Sequence, residues 1–234
     1  QLDRDEHADR QSDRALVERH LREQAGGPRR VLVAHGGRDE RAMRLLDAEH
    51  EVGGAPGQAL ERALGLEAVD AIAERHDFPP FRPRYQGLAS EGTLNGRKTL
   101  LLKPMTYMNR SGGPIRLVSQ YFKIPLTEIL VVHDELDLSP GDVKLKKAGG
   151  HGGHNGLRDI ISVLGTPDFL RLRLGIGHPG EKSQVVDYVL GEPGKAERDQ
   201  INQAIADTLP KIVSLAEGKD LQSVIAGLHT GNKK

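Results

Sequence analysis

Apolar residues recur at helical spacing through Ala68-Val69-Asp70-Ala71-Ile72-Ala73-Glu74-Arg75-His76, and the breaker pair Pro79-Pro80 follows. Two short apolar runs, 99–102 and 129–132, each give way at once to polar residues and predict buried strands. Residues 114–122 between them predict a helix and 157–164 a second. Residues 170–176, where Leu alternates with Arg, suggest another strand, and the apolar rhythm of 199–215 predicts a terminal helix. Strands interleaved with helices predict an α/β layer with a mostly parallel sheet. In such sheets sites gather at the carboxyl ends of strands.

The pattern fades toward the amino terminus. The first seventy residues contain no Ile, Phe, Tyr, Trp, Lys, Asn or Thr, and only Val31-Leu32-Val33-Ala34 could serve there as a buried strand. Residues 15–24 and 41–49 could form charged helices with narrow apolar stripes. Three explanations stand side by side. The stretch is a charged extension, as low hydrophobicity with abundant charge implies; or it is a divergent first strand and helix; or it is read out of frame from a GC-rich gene. The third draws on the missing residue types, whose codons are mostly AT-rich, and on the lack of an initiating Met. One uninterrupted frame at the locus would remove it. The chain thus divides into an atypical charged segment 1–57, a domain 58–227 and a polar tail 228–234.

At 234 residues the length suits one core plus an appendage. The formal net charge is zero, so any nucleic-acid contact must come from a local basic patch. There is no Cys, which removes disulfides, thiolate nucleophiles and zinc–cysteine sites. No apolar run approaches the roughly 18–20 residues of a membrane span and no secretion signal is visible, so the expectation is a soluble cytoplasmic protein without membrane attachment.

Polar residues crowd three places. The first, Lys103-Pro104-Met105-Thr106-Tyr107-Met108-Asn109-Arg110-Ser111-Gly112-Gly113, follows a strand; Asn109 could orient a water or carbonyl and Tyr107 could pack on a substrate, or the stretch is a turn capping the next helix. The second is His133-Asp134-Glu135-Leu136-Asp137. One His among adjacent carboxylates lacks a metal-ligand spacing, so a carboxylate that holds a distant His is the functional alternative to a solvated acidic turn. By that logic an imidazole within reach of Asp134 would be a candidate base. The third runs from Gly149 through His151, His154 and Asn155 to Leu157, glycine-rich before a helical pattern. It suits close backbone approach to a ligand or a moving lid, against the plainer alternative of a flexible linker. Its glycines do not match a dinucleotide fingerprint, and no phosphate loop is present. Lys144, Lys146 and Lys147 precede this cluster, and Arg171 and Arg173 alternate on the later strand. If these cations converge they form a phosphate clamp; as scattered surface charges they would do nothing.

Together these residues resemble the bacterial peptidyl-tRNA hydrolases. The resemblance runs from about Ala68 to the carboxyl end. It rests on Leu101 through Asn109 with Ser111-Gly112, on His133 through Asp137, on Gly149 through Leu157, and on Gly175-Ile176-Gly177-His178-Pro179-Gly180. It implies a single α/β domain with a twisted mixed sheet, working as a monomer without cofactor or metal on peptidyl-tRNA. The implied activity is hydrolysis of the ester between the peptide's last carboxyl and the ribose. The implied roles are Asp134 supporting a general-base His, Asn109 and Asn155 holding substrate and water, and Tyr107 contacting substrate. Lys146 and Arg173 would grip the terminal phosphate. His151 and His154 fall in the matched lid loop, where the family places no base.

Family members open with a strand, a Gly-Asn-Pro-Gly turn, a Tyr, and an Arg-His-Asn run whose His is catalytic. Here the nearest text is Val52-Gly53-Gly54-Ala55-Pro56-Gly57, then Glu61-Arg62-Ala63-Leu64-Gly65 without His; His50 precedes the turn and His76 lies beyond the helix. Losing a general base costs on the order of 10²–10⁴ in rate. The expectation is a weak or inactive hydrolase that keeps its RNA-binding face; the alternative is a non-catalytic tRNA- or rRNA-binding protein.

Overall fold

The computed structural model describes residues 30–34, 64–216 and 219–229. Residues 15–24, 41–49 and 52–57, His50 and the expected boundary after residue 57 lie outside the described residues. Seven strands form one sheet: β1 (Arg30–Ala34), β2 (Arg82–Arg84), β3 (Gly87–Leu94), β4 (Arg97–Pro104), β5 (Ile129–Glu135), β6 (Val143–Lys147) and β7 (Leu170–Gly175). Their order is β2-β3-β4-β1-β5-β7-β6. The sheet is mixed, as expected, but not mostly parallel: β4-β1-β5-β7 is a parallel centre and the flanks are antiparallel, with three pairings of each kind.

The helices are α1 (Leu64–Arg75), α2 (Gly112–Tyr121), α3 (Asn155–Leu164), α4 (Val185–Leu190), α5 (Lys195–Ala216) and α6 (Leu221–His229). Residues 31–34 of β1, 100–102 of β4 and 129–132 of β5 are apolar without interruption because both faces of the sheet are covered there. Alternation sends Leu32, Leu101, Leu130 and Val132 into a core with α1, α5 and α6. It sends Val31, Val33, Leu102 and Val131 into a second core with α2 and α3. Leu228, assigned above to a polar tail, is buried in the first core. Among the described residues no helix is long and apolar enough to cross a membrane.

The run Val31-Leu32-Val33-Ala34 takes a buried strand's place at the middle of the sheet, with Leu32 level with Leu101 of β4 and Leu130 of β5. Strands β2, β3 and β6 carry no comparable sequence signal. The β2–β3 turn uses Tyr85 and Gln86 at φ of 55° and 58° without a glycine, so it lacks the usual hairpin signature. In β6 lysines alternate with Val143 and Leu145, as suits an edge strand that resists pairing with other chains.

The carboxyl end of β7 is locked to the turn that follows β5. Gly175 N donates to Asp142 O (2.8 Å), Ile176 N to Glu135 O (3.1 Å) and Gly177 N to Leu138 O (2.8 Å). A Cβ at Gly175 would run into the Ser139 carbonyl oxygen and lie 2.9 Å from Leu138 Cβ. Backbone cannot withdraw there as a flexible side chain could. Gly175→Ala is therefore expected to destabilise the fold by about 2–3 kcal/mol, read as a lower urea midpoint.

Candidate active site

Strands β4, β5 and β7 run the same way, so the Tyr107–Asn109 stretch after β4 and the 133–137 cluster at the end of β5 lie at one edge of the sheet. The glycine cluster arrives there by a different route. β6 is antiparallel to β7, with Lys147 level with Leu170, so residues 148–153 leave the sheet at the opposite edge. They must climb back along the β6–β7 face before α3 begins at Asn155. Positive φ at Ala148 (59°), Gly149 (107°), Gly152 (56°) and Gly153 (87°) gives the backbone its irregular path, which is where glycine is needed.

At the top of that climb His154 meets Asp134, with Nε2 3.4 Å from Oδ1. An imidazole within reach of Asp134 was the sequence criterion for a base, but the hydrogen bonds do not suit His154 to the role. Its Nδ1 accepts the Leu157 backbone N–H (3.3 Å) and caps α3. With Nδ1 accepting, the proton sits on Nε2 and donates to the carboxylate. His154 thus has no spare lone pair for a water proton unless it gives up its cap.

His133 stacks edge-on against His154, with centroids 5.2 Å apart. It is 1 % exposed, and its Nδ1 donates to the Asp134 carbonyl oxygen (2.7 Å). Burial, with the neighbouring His154, pushes its pKa down to about 4 against the opposing pull of Asp134. It is neutral at pH 7. Its Nε2 is buried and has no hydrogen-bond partner among the described residues.

The β6–β7 register sets Lys144 opposite Arg173 and Lys146 opposite Arg171. Like charges placed directly opposite destabilise a sheet, so these positions do not serve the sheet itself. Lys146, Arg171 and Arg173 line one cavity with His133, Glu135 and the glycine loop. The two arginines differ. Arg171 is 3 % exposed and donates from Nη1 to Gly150 O (2.6 Å) and from Nη2 to Gly149 O (2.5 Å), over the Phe169 ring. Both terminal nitrogens are used to buckle the glycine loop to the ribbon. Among the described residues Arg173 is held only through Nε, by Glu135 Oε2 at 2.8 Å.

Asn109 is exposed, in a turn (Met108–Arg110) that packs against α3. Tyr107 precedes the turn, and the Arg110 guanidinium lies 5.9 Å from its ring centroid. Asp159 of α3 accepts from Gly112 N (2.7 Å), and a Cβ at Gly112 would lie 2.7 Å from Val163 Cβ. That close crossing ties the Asn109 loop to the helix that begins at Asn155. Asn155 is exposed and its Oδ1 accepts from Arg158 Nη1 (3.1 Å). Tyr107, Asn109, Asp134 and Asn155 do not line the cavity of the cations.

Among the described residues no group of three or more His, Asp or Glu is placed to hold a metal ion. Another hollow, lined by Val31, Leu94, Leu130 and Leu215, opens at the amino-terminal ends of the strands, away from this chemistry. Sequence reasoning missed the contacts of His154 and Glu135. The period of two puts His133 and Glu135 on one strand face, but only the β5–β7 register brings Arg173 to it.

The sequence pattern of the family described as peptidyl-tRNA hydrolase matches residues 54–234. A peptidyl-tRNA hydrolase of Methylobacillus flagellatus is 54 % identical over 185 residues, 77 % of this chain and 95 % of that protein. One from Granulibacter bethesdensis is 51 % identical over 168 residues, 70 % and 85 % of the two chains. The crystal structure of the Acinetobacter baumannii peptidyl-tRNA hydrolase superposes with a TM-score of 0.74 at 34 % identity, covering 85 % of this chain and 93 % of that one. With the fold, the edge-on site and these relatives in agreement, the chain belongs to the peptidyl-tRNA hydrolase family.

Proposed function

We propose that this chain is a peptidyl-tRNA hydrolase, an esterase that releases free tRNA and peptide, and that its turnover is impaired for want of a general base. In the reaction water adds to the ester carbonyl, a base takes its proton, and the ribose oxygen leaves with a proton. Asp134 would hold the imidazolium formed in that step, Asn109 and Asn155 would bind water and the substrate carbonyl, and Tyr107 would pack on the substrate. Lys146 and Arg173 would take the terminal phosphate of the tRNA. The roles suit a monomer with no cofactor.

The observation that carries the reading is the placement of the Asp134–His154 pair beside a cavity with Lys146 and Arg173, in a member of this family. The impairment rests on the imidazoles. His154 has both nitrogens engaged, and His133 is buried with Nδ1 committed to a carbonyl. His76 Nε2 is buried with no partner among the described residues. The engaged His154 and the buried His133 also favour the second reading, a protein that binds tRNA or rRNA without cutting it.

The test is release of an N-blocked amino acid from its tRNA by the full chain, alongside equilibrium binding of the same tRNA. Slow release, down by about 10²–10⁴ from a family enzyme that has its base, with binding intact is the expected result. Near-normal turnover would show that a base is in place and remove the impairment. Binding with no hydrolysis above background would leave the non-catalytic reading.

A further inference from the structure

Two arginines stand on β7, and among the described residues only one of them has a free fork. Arg171 has both terminal nitrogens on the carbonyls of Gly149 and Gly150. Arg173 has one side-chain contact among the described residues, Nε to Glu135 Oε2, and neither terminal nitrogen has a partner there. The carboxylate making that contact is itself fixed. Glu135 Oε1 accepts from Asp137 N (3.3 Å), and the Glu135 carbonyl accepts from Ile176 N (3.1 Å). Glu135 is therefore gripped by the turn after β5 and by the end of β7, and offers its remaining oxygen to the inner nitrogen of Arg173.

The surroundings explain why such a brace is needed. Arg173 sits in register between Lys144 on β6 and His133 on β5, with Arg171 two residues away on its own strand. Lys144 and Arg171 repel it, and the neutral His133 offers no counter-charge. A long side chain in that field swings outward into water unless something holds its root. An Nε–H bond holds the root and leaves the outer edge of the guanidinium for a second anion, the edge suited to bidentate phosphate binding.

We infer that Glu135 is a positioning residue, bracing Arg173 through Nε so that its two terminal nitrogens, with the Lys146 ammonium, face a phosphate group at the end of an RNA chain. This rests on the phosphate role of Arg173 proposed above. The plausible opposite is that Glu135 competes with the phosphate for Arg173, and the two predict opposite signs.

The test measures binding of the full chain to one tRNA prepared with a 5′ phosphate and with a 5′ hydroxyl. The unsubstituted chain is expected to favour the phosphate by about tenfold or more, as one charge-assisted contact allows. Glu135→Leu should lower that preference to the level of Arg173→Ala. Glu135→Gln, whose side-chain oxygen still accepts from Nε, should keep it within about threefold. The 5′-hydroxyl tRNA reports the remainder of the RNA-binding face, so a general loss of structure weakens both ligands together. The inference is overturned if Glu135→Leu keeps the full preference, tightens phosphate binding, or weakens both tRNAs equally; it is also overturned if Glu135→Gln loses as much as Glu135→Leu. A parent chain indifferent to the 5′ phosphate would sink the phosphate role of Arg173 first, and this brace with it.

Discussion

Exchanging residues 1–63 for a segment with an apolar strand, a Gly-Asn-Pro-Gly turn and an Arg-His-Asn run should raise hydrolysis of N-blocked aminoacyl-tRNA by on the order of 10²–10⁴. The gain should appear in kcat and leave KM within a small factor, because Lys146, Arg173 and the Asn-bearing loops all lie downstream of the exchange. Asp134→Asn should abolish most of the gain in the exchanged chain. In the parent, which on the proposed reading lacks the base, it should change little. A gain below about threefold in a folded exchanged chain would mean that the missing base is not what limits turnover.

Acidification from pH 7 to about pH 4 should remove about 3 kcal/mol of stability through His133 alone. Its pKa falls from 6.5 to about 4 on folding, mainly because it is buried. Between those values the unfolded chain binds the proton and the folded chain does not. Stability is therefore full above pH 6.5 and is lost as the pH drops through the window. Glu135 adds loss of the same sign at its own, lower range: burial acts to raise its pKa, but the hydrogen bond and charge of Arg173 outweigh that and hold it below the usual value. Comparing urea midpoints of the parent and His133→Asn from pH 7 to pH 4.5 isolates the His133 share. Parallel profiles for the two proteins would refute it.

How far the sequence reached differs from element to element. The runs 99–102 and 129–132 were legible because a central strand buried on both faces has no polar interruption, and both form strands, β4 and β5. Val31 through Ala34 was legible for the same reason despite its surroundings. β6 was not, since VKLKK has one apolar face of two residues and the rest is charge. Asp134, Asn109, Asn155, Tyr107, Lys146 and Arg173 could be put forward as candidates from motifs. Their partners could not. That Glu135 takes Arg173, that Arg171 is spent on Gly149 and Gly150, and that His154 spans Asp134 and Leu157 are facts of register and loop path. Linear spacing carries none of that information.

β1 is flanked by β4 on one side and β5 on the other, and those two do not pair with each other. It is a wedge joining two half-sheets, and its second neighbour begins 98 residues downstream, at Ile129 opposite Val31. During synthesis the earliest of the described strands thus waits for its second neighbour until more than half of the chain has been made. Until β5 emerges, an apolar ribbon with open hydrogen-bonding sides is available to any other nascent chain, a long-range closure of the kind that folds slowly and invites misassembly.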